Sequence, residues 1–224
     1  MIQPEIKRKI EKVVNVFETG TPEGRYDLLV VMNDGPGGRP QITYGRSQTT
    51  EFGNLRKLVK MYCDRAGQYA QALLSWLDII GKEPLSDNTQ FKKLLRDAAR
   101  NDPVMRLVQD VFFEEVYFAP AQTFFESNGF TLPLALLVIY DSYIHSGRVP
   151  DFLRRRFGEK VPSAGGNEKE WVTRYVDVRH QWLKYHSNEI LRRTIYRTQC
   201  FKDQIAADNW MLSQPVRANG VEVI

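Results

Sequence analysis

The sequence predicts an α+β chain that is predominantly α-helical, with one small β-hairpin or sheet near the N-terminus. Three observations predict it. Apolar residues recur at three- and four-residue steps through most of the chain. A single stretch, residues 26–32 (YDLLVVM), is β-like and runs into a glycine- and proline-rich turn. Residues 132–140 are apolar around the whole circumference, which marks a buried central helix. With 224 residues, 42% of them hydrophobic, the chain has material for one domain of ordinary upper size, or one domain built of two lobes.

Taken in order, residues 4–18 read as an amphipathic helix carrying Ile6, Ile10, Val13, Val14 and Phe17, stopped by Gly20 and Pro22. Residues 26–32 and 41–45 read as the two strands of a hairpin, joined across Asn33, Asp34, Gly35 and the residues Pro36, Gly37 and Gly38. A helix is expected from Thr49 or Thr50, good N-caps, with Leu55, Leu58, Val59 and Tyr62 on one face. From 68 to 118 the pattern is helical almost throughout, with Asp102–Pro103 as an N-cap followed by proline at the first helical position. A short helix over 119–128 closes at Asn128–Gly129. The apolar helix follows, with Pro133 in its first turn. Residues 148–166 are loop-rich with one short helix, 167–186 and 187–207 are two more helices, and 209–224 form an extended tail.

Composition excludes several classes. Charged residues make up 26%, too ordinary for disorder. The formal net charge of +4 and isoelectric point near 9.0 favour anionic partners, but 31 basic and 27 acidic residues are interspersed. The longest basic run, Arg154 to Arg156, reads as a solvated helix face. The aromatics sit at apolar helical spacing, so a nucleic-acid partner is not expected. Cys63 and Cys200 form no disulfide framework and read as small apolar residues near the core; with three histidines they show no metal-ligand spacing, so neither metal nor cofactor is expected. No segment is long and apolar enough for membrane insertion. The N-terminus has no signal-peptide pattern, so either the protein starts in the cytoplasm and leaves it by another route, or a leader has been removed.

Two carboxylates stand out. Glu18 ends a helix beside Phe17, and both the helix C-terminus and apolar neighbours favour its protonated form. Asp34 lies in a polar, glycine-rich turn suited to an ionised group. Together they fit the acid and base of glycoside hydrolysis. Each alone also reads as an ordinary helix end and an ordinary Asn-Asp-Gly turn. Asp141 closes the apolar helix and needs a cationic partner to be buried, with Arg179 and Arg197 as candidates; a purely structural ion pair is the competing reading.

In these residues the chain resembles the chitosanases of glycoside hydrolase family 46. The segment FETGTPEGRYDLLVVMNDGPGG matches the family's acid, tyrosine and aspartate-bearing turn. The segments QDVFFEEVYFAPAQTFFESNGFTLPLALLVIYDSYIHSG, GNEKEWVTRYVDVRHQWL and YRTQCFKDQIAADNWMLSQPVRANG match three further blocks in order. The resemblance implies a lysozyme-like, two-lobed fold with a cleft between the lobes. It implies an endo-acting, inverting hydrolase of β-1,4 linkages in chitosan or a related amino-sugar polymer. In that reading Glu18 is the general acid and Asp34 the general base, with carboxyl groups roughly 6.5–9.5 Å apart or more.

By the same resemblance Tyr26, Thr43, Thr49 and Glu51 contact substrate. Asp141, Arg179 and Arg197 form the supporting charge network, and Asp177 falls in the family's third block. A monomer acting outside the cell on a polysaccharide is implied. The chain departs from the family at Pro36, which replaces an arginine, and over residues 46–50, which replace a glycine-rich run. The threonine expected a few residues after the aspartate is missing, with Thr43 as its substitute. A muramidase-like peptidoglycan hydrolase and a non-catalytic glycan-binding descendant are the alternative readings.

Overall fold

A computed structural model describes residues 2–46 and 48–224. Met1 and Ser47 lie outside the described residues, and with Ser47 goes one position of the 46–50 segment. The chain divides into two compact units, Met1–Glu23 with Glu115–Ile224, and Gly24–Glu114.

The first unit is helical. Helix α1 (Pro4–Thr19) begins with proline, whose missing N–H is no loss in a first turn. It ends where Gly20 turns left-handed (φ 79°) and donates to the Val16 carbonyl at 2.9 Å. That stop places Glu18 in the final turn. After α6 (Ala119–Ser127) comes α7 (Pro133–Ser146), in which every residue from Pro133 to Ser142 is buried. Helices α1 and α6 pack on α7, as do α9 (Glu168–Lys184) and α11 (Ile195–Ala206). Burying each large apolar side chain of α7 stabilises by about 1.5–3 kcal/mol, so this helix organises the unit. The short helix α8 (Asp151–Arg154) packs on α9. Arg154 does not simply face solvent: its guanidinium donates to the Phe157 and Glu159 carbonyls and lies 4.5 Å from the Phe157 ring centroid, while Arg155 and Arg156 are exposed.

The second unit holds an antiparallel sheet of β1 (Leu29–Met32), β2 (Gln41–Tyr44) and β3 (Thr49–Thr50), in that order. Met32 pairs with Gln41 and Leu29 with Tyr44, across the Asn33–Pro40 turn. Helices α2 (Leu55–Asp64), α3 (Ala70–Leu74), α4 (Thr89–Asn101) and α5 (Pro103–Phe113) complete it. Asp102 caps α5 as expected, its Oδ1 accepting from Val104 N at 2.8 Å.

Four local expectations are corrected. Residues 26–28 form a turn, and β1 starts only at Leu29. Thr49 and Thr50 are not helix caps. They pair with Tyr44 and Thr43 as a strand, which suits β-branched residues, and the helix starts at Leu55. The helical pattern after residue 68 yields only α3, then successive tight turns such as Trp76 N to Leu73 O at 3.1 Å, up to Gly81 at φ 81°. The last helical stretch is split into α10 (Glu189–Arg193) and α11 at Thr194, whose hydroxyl donates to the Leu191 carbonyl at 2.7 Å.

The tail is also more ordered than an extended strand. Strands β4 (Val216–Ala218) and β5 (Val221–Val223) form a hairpin in the first unit, across Asn219 (φ 45°) and Gly220 (φ 86°). Cys200 is buried and Cys63 partly buried, both as free thiols.

Candidate active site

In the first unit a chain of buried charges starts at Glu18. Its Oε1 accepts from Arg197 Nη2, and Arg197 Nη1 donates to Asp141 Oδ1 at 2.7 Å. Arg179 Nη1 lies 2.7 Å from Asp141 Oδ2. Exposure decides the roles within this chain. The side chains of Asp141 and Arg179 are 0% and 1% exposed and that of Arg197 5%, whereas Glu18 keeps 8%. Glu18 is therefore the end of the network nearest solvent.

Each helix contributes one element. The C-terminus of α1 brings Glu18, α7 brings Asp141, α9 brings Arg179 and α11 brings Arg197. Tyr196, beside Arg197, donates its hydroxyl to the Phe17 carbonyl at 2.9 Å, so the start of α11 is pinned to the end of α1. The Arg197 guanidinium also lies 5.4 Å from the Phe17 ring centroid.

The electrostatics follow from burial and pairing. Burial raises the Glu18 carboxyl above the ordinary glutamate range, against the pull of Arg197 and with help from Asp141. Burial also works against the charge of Asp141, but Arg179 and Arg197 outweigh it and hold that carboxyl below its usual value. Arg197 is likewise opposed by burial and held charged by Glu18 and Asp141. His145, one turn after Asp141, is pushed down to about 3 by burial and by Arg197 and Arg179, so it stays neutral. Stranding a single buried ion costs several kcal/mol, and only a fully paired set avoids that cost. Asp141 has an arginine within 2.7 Å of each oxygen, hydrogen-bonded to Arg197 and ion-paired to Arg179, whose guanidinium makes no hydrogen bond. The network thus fixes the orientation of Glu18 while leaving it poised to hold a proton, as a general acid requires.

In the second unit Asp34 is exposed in the turn between β1 and β2. The turn is closed by Gly35 N to Arg39 O at 2.9 Å and Gly38 N to Gly35 O at 2.8 Å. Asp34 Oδ1 accepts from Gln41 Nε2 at 2.9 Å.

The four residues expected at substrate have different surroundings. Glu51 is fully buried, and both its oxygens are taken by backbone donors, Ile42 N at 2.9 Å and Leu85 N at 2.6 Å. That geometry gives it a structural job and corrects its expected position at a helix start facing substrate. Thr49 is buried at 1% exposure within the sheet. Tyr26 is half-buried, and its hydroxyl donates to Asp110 Oδ1 at 2.8 Å. Burial and Asp110 push that phenol up to about 12. Thr43 is buried on β2, and its Oγ1 has no hydrogen-bond partner.

Four residues of this unit were not singled out from the sequence. Asp110 is shared between Tyr26 and Arg46, the latter at 2.7 Å. Gln109 accepts from Arg46 N at 2.8 Å and donates to the Tyr26 carbonyl at 3.0 Å. Gln41 holds Asp34. The one available signal was a polar Gln-Asp pair inside the apolar run of α5. Asp177, from the third matching block, pairs with Lys202 rather than joining the Asp141 network. Among the described residues, no group of three His, Cys, Asp or Glu side chains could hold a metal ion, and no helix is long and apolar enough to cross a membrane.

Comparison with known proteins gives the family of the chain. The family model for glycosyl hydrolase family 46 matches residues 12–216. A chitosanase of Bacillus subtilis (strain 168) is 27% identical over 96% of this chain and 82% of its own length. Among solved structures, native chitosanase from Bacillus subtilis MY002 superposes with a TM-score of 0.85 at 23% identity over all of both chains. A family 46 chitosanase of Gynuella sunshinyii in complex with chitotetraose gives 0.83 at 22% identity, covering 99% of this chain and 98% of that one. With the family model spanning nearly the whole chain, including Glu18, Asp34, Asp141, Arg179 and Arg197, this protein belongs to glycosyl hydrolase family 46 and is a glycoside hydrolase.

Proposed function

We propose that this enzyme is an endo-acting, inverting hydrolase of β-1,4 linkages in chitosan or a closely related amino-sugar polymer. Glu18 donates its proton to the glycosidic oxygen as the bond to the anomeric carbon breaks. Asp34 removes a proton from the water that attacks that carbon from the opposite face of the ring. Both carboxyl groups then exchange protons with solvent to restore the starting state.

The observation that carries this reading is the buried Glu18–Arg197–Asp141–Arg179 network. It gives Glu18 a fixed orientation and a raised proton affinity, which a helix-end glutamate in solvent would lack. The chitotetraose bound to the Gynuella sunshinyii relative supports the substrate class. Of the residues expected at substrate, Tyr26 keeps exposed surface, whereas the Thr43 hydroxyl is buried and without a hydrogen-bond partner. The polymer is extracellular, so this reading entails export, and the protein acts as a monomer.

Reducing-end release from chitosan tests it. The wild type is expected to cleave chitosan, and Glu18→Gln and Asp34→Asn are each expected to lose roughly 10²–10⁴-fold in kcat. The net charge of +4 favours a second reading, hydrolysis of anionic peptidoglycan. Turnover of peptidoglycan but not chitosan would establish that alternative. Glycan binding without turnover of either polymer would make the chain a non-catalytic member of its family.

A further inference from the structure

The carboxylate of Asp34 stands exposed in its turn, and among the described residues one side chain donates to it. The register of the hairpin places that side chain. Gln41 is the first residue of β2, paired with Met32, the last residue of β1. The two therefore bracket the turn, and the Gln41 side chain reaches back seven residues to Asp34.

Three features make this a built contact. Gln41 is only 5% exposed, whereas Asp34 is exposed. Its amide has no rotational choice: Nε2 donates to Asp34 Oδ1 at 2.9 Å while Oε1 faces the Phe52 N–H at 3.4 Å. A carboxylate needs the donor end and a backbone N–H needs the acceptor end, so both partners select the same orientation. Gly35 completes the arrangement. A Cβ there would lie 2.7 Å from the Arg39 carbonyl oxygen, so glycine lets the turn between Asp34 and Gln41 close tightly. Thr43, two residues along β2 and so on the same face as Gln41, carries the unpartnered hydroxyl.

We infer that Gln41 is a positioning residue for the proposed reaction, fixing Asp34 Oδ1 so that the second carboxylate oxygen is presented to the attacking water. This rests on Asp34 being the general base. Gln41 itself touches neither sugar nor water. It removes the rotational freedom of an exposed aspartate, which otherwise samples several rotamers and spends little time in reach of the water.

The experiment uses Gln41→Met and Gln41→Glu in the full chain, with Asp34→Asn alongside and steady-state hydrolysis of a soluble chitosan oligosaccharide as readout. Gln41→Met keeps length and volume but has no donor. It is expected to lose roughly 10- to 100-fold in kcat with KM within about two-fold of the wild type. Gln41→Glu keeps the acceptor for Phe52 and sets a second carboxylate against Asp34. It is expected to move the acid limb of the pH–rate profile to higher pH, because like charges oppose ionisation. A merely structural glutamine would move melting temperature but leave the kcat of folded Gln41→Met unchanged. If Gln41→Met keeps wild-type kcat, or if Gln41→Glu leaves the acid limb in place, the inference fails. If Asp34→Asn retains full activity, the reading of Asp34 as base fails instead. Should Gln41→Met not fold, the kcat of Gln41→Glu on the plateau above its acid limb decides: a loss of roughly 10-fold or more supports the inference and wild-type kcat there overturns it.

Discussion

In the proposed reaction Glu18 depends on three residues, of which one touches it. Arg197 binds its oxygen, Asp141 binds Arg197, and Arg179 completes the charge balance. Asp141 therefore acts on Glu18 at one remove, and its negative charge helps keep the Glu18 proton on. The sign of a substitution follows. Asp141→Asn removes a charge that raises Glu18 and leaves Arg197, which favours its ionised form. The acid then deprotonates at lower pH, and the alkaline limb of the pH–rate profile is expected to move down. The same substitution leaves Arg179 and Arg197 buried without their carboxylate, at about 3–5 kcal/mol in stability. A pH–rate profile with a parallel urea titration checks both; an alkaline limb that stays in place or moves up contradicts the coupling.

At the scale of elements, the site depends on where helices and strands stop. Gly20 ends α1 within two residues of Glu18, and the short Asn33–Pro40 turn places Asp34 opposite Gln41. The two stops were legible in the sequence, since glycine and proline act locally through φ and a missing N–H. Helix α7 was legible for the same local reason, an unbroken apolar run. The start of α2 was not. Thr49 and Thr50 suit a helix cap and a strand equally, and only pairing with Tyr44 and Thr43 chooses between them. The Asn219–Gly220 hairpin is a further difference from the expected extended tail, although Asn-Gly flanked by Ala218 and Val221 is a strong turn signal.

Glu51 shows the larger difficulty, because its position in sequence suggests substrate and its environment supplies two backbone donors instead. Glu51→Ala is expected to leave two buried N–H groups unsatisfied, at about 1–3 kcal/mol each. Thermal denaturation with Michaelis kinetics on the folded fraction tests this. A rise in KM at unchanged stability would return Glu51 to the substrate.

At the scale of the whole molecule, the chain order and the predominantly helical α+β class were readable, because hydrophobic periodicity reports secondary structure directly. The charge network was readable in part. A carboxylate on an otherwise apolar helix demands cationic partners, which singled out Arg179 and Arg197. The Tyr26–Asp110–Arg46 cluster and the Gln41 clamp were not readable, since each joins residues whose proximity depends on strand register or on α5 meeting the sheet. Family membership makes the chain a glycoside hydrolase; the proposal adds an inverting cut, with Glu18 and Asp34 as acid and base on opposite faces of one sugar. Time-resolved proton NMR of the first products released from chitosan reads this directly. The α-anomer is expected to appear first and to mutarotate to the equilibrium mixture, with Glu18→Gln releasing neither anomer at a comparable rate. Initial appearance of the β-anomer, or wild-type turnover by Glu18→Gln, would contradict single displacement by this pair.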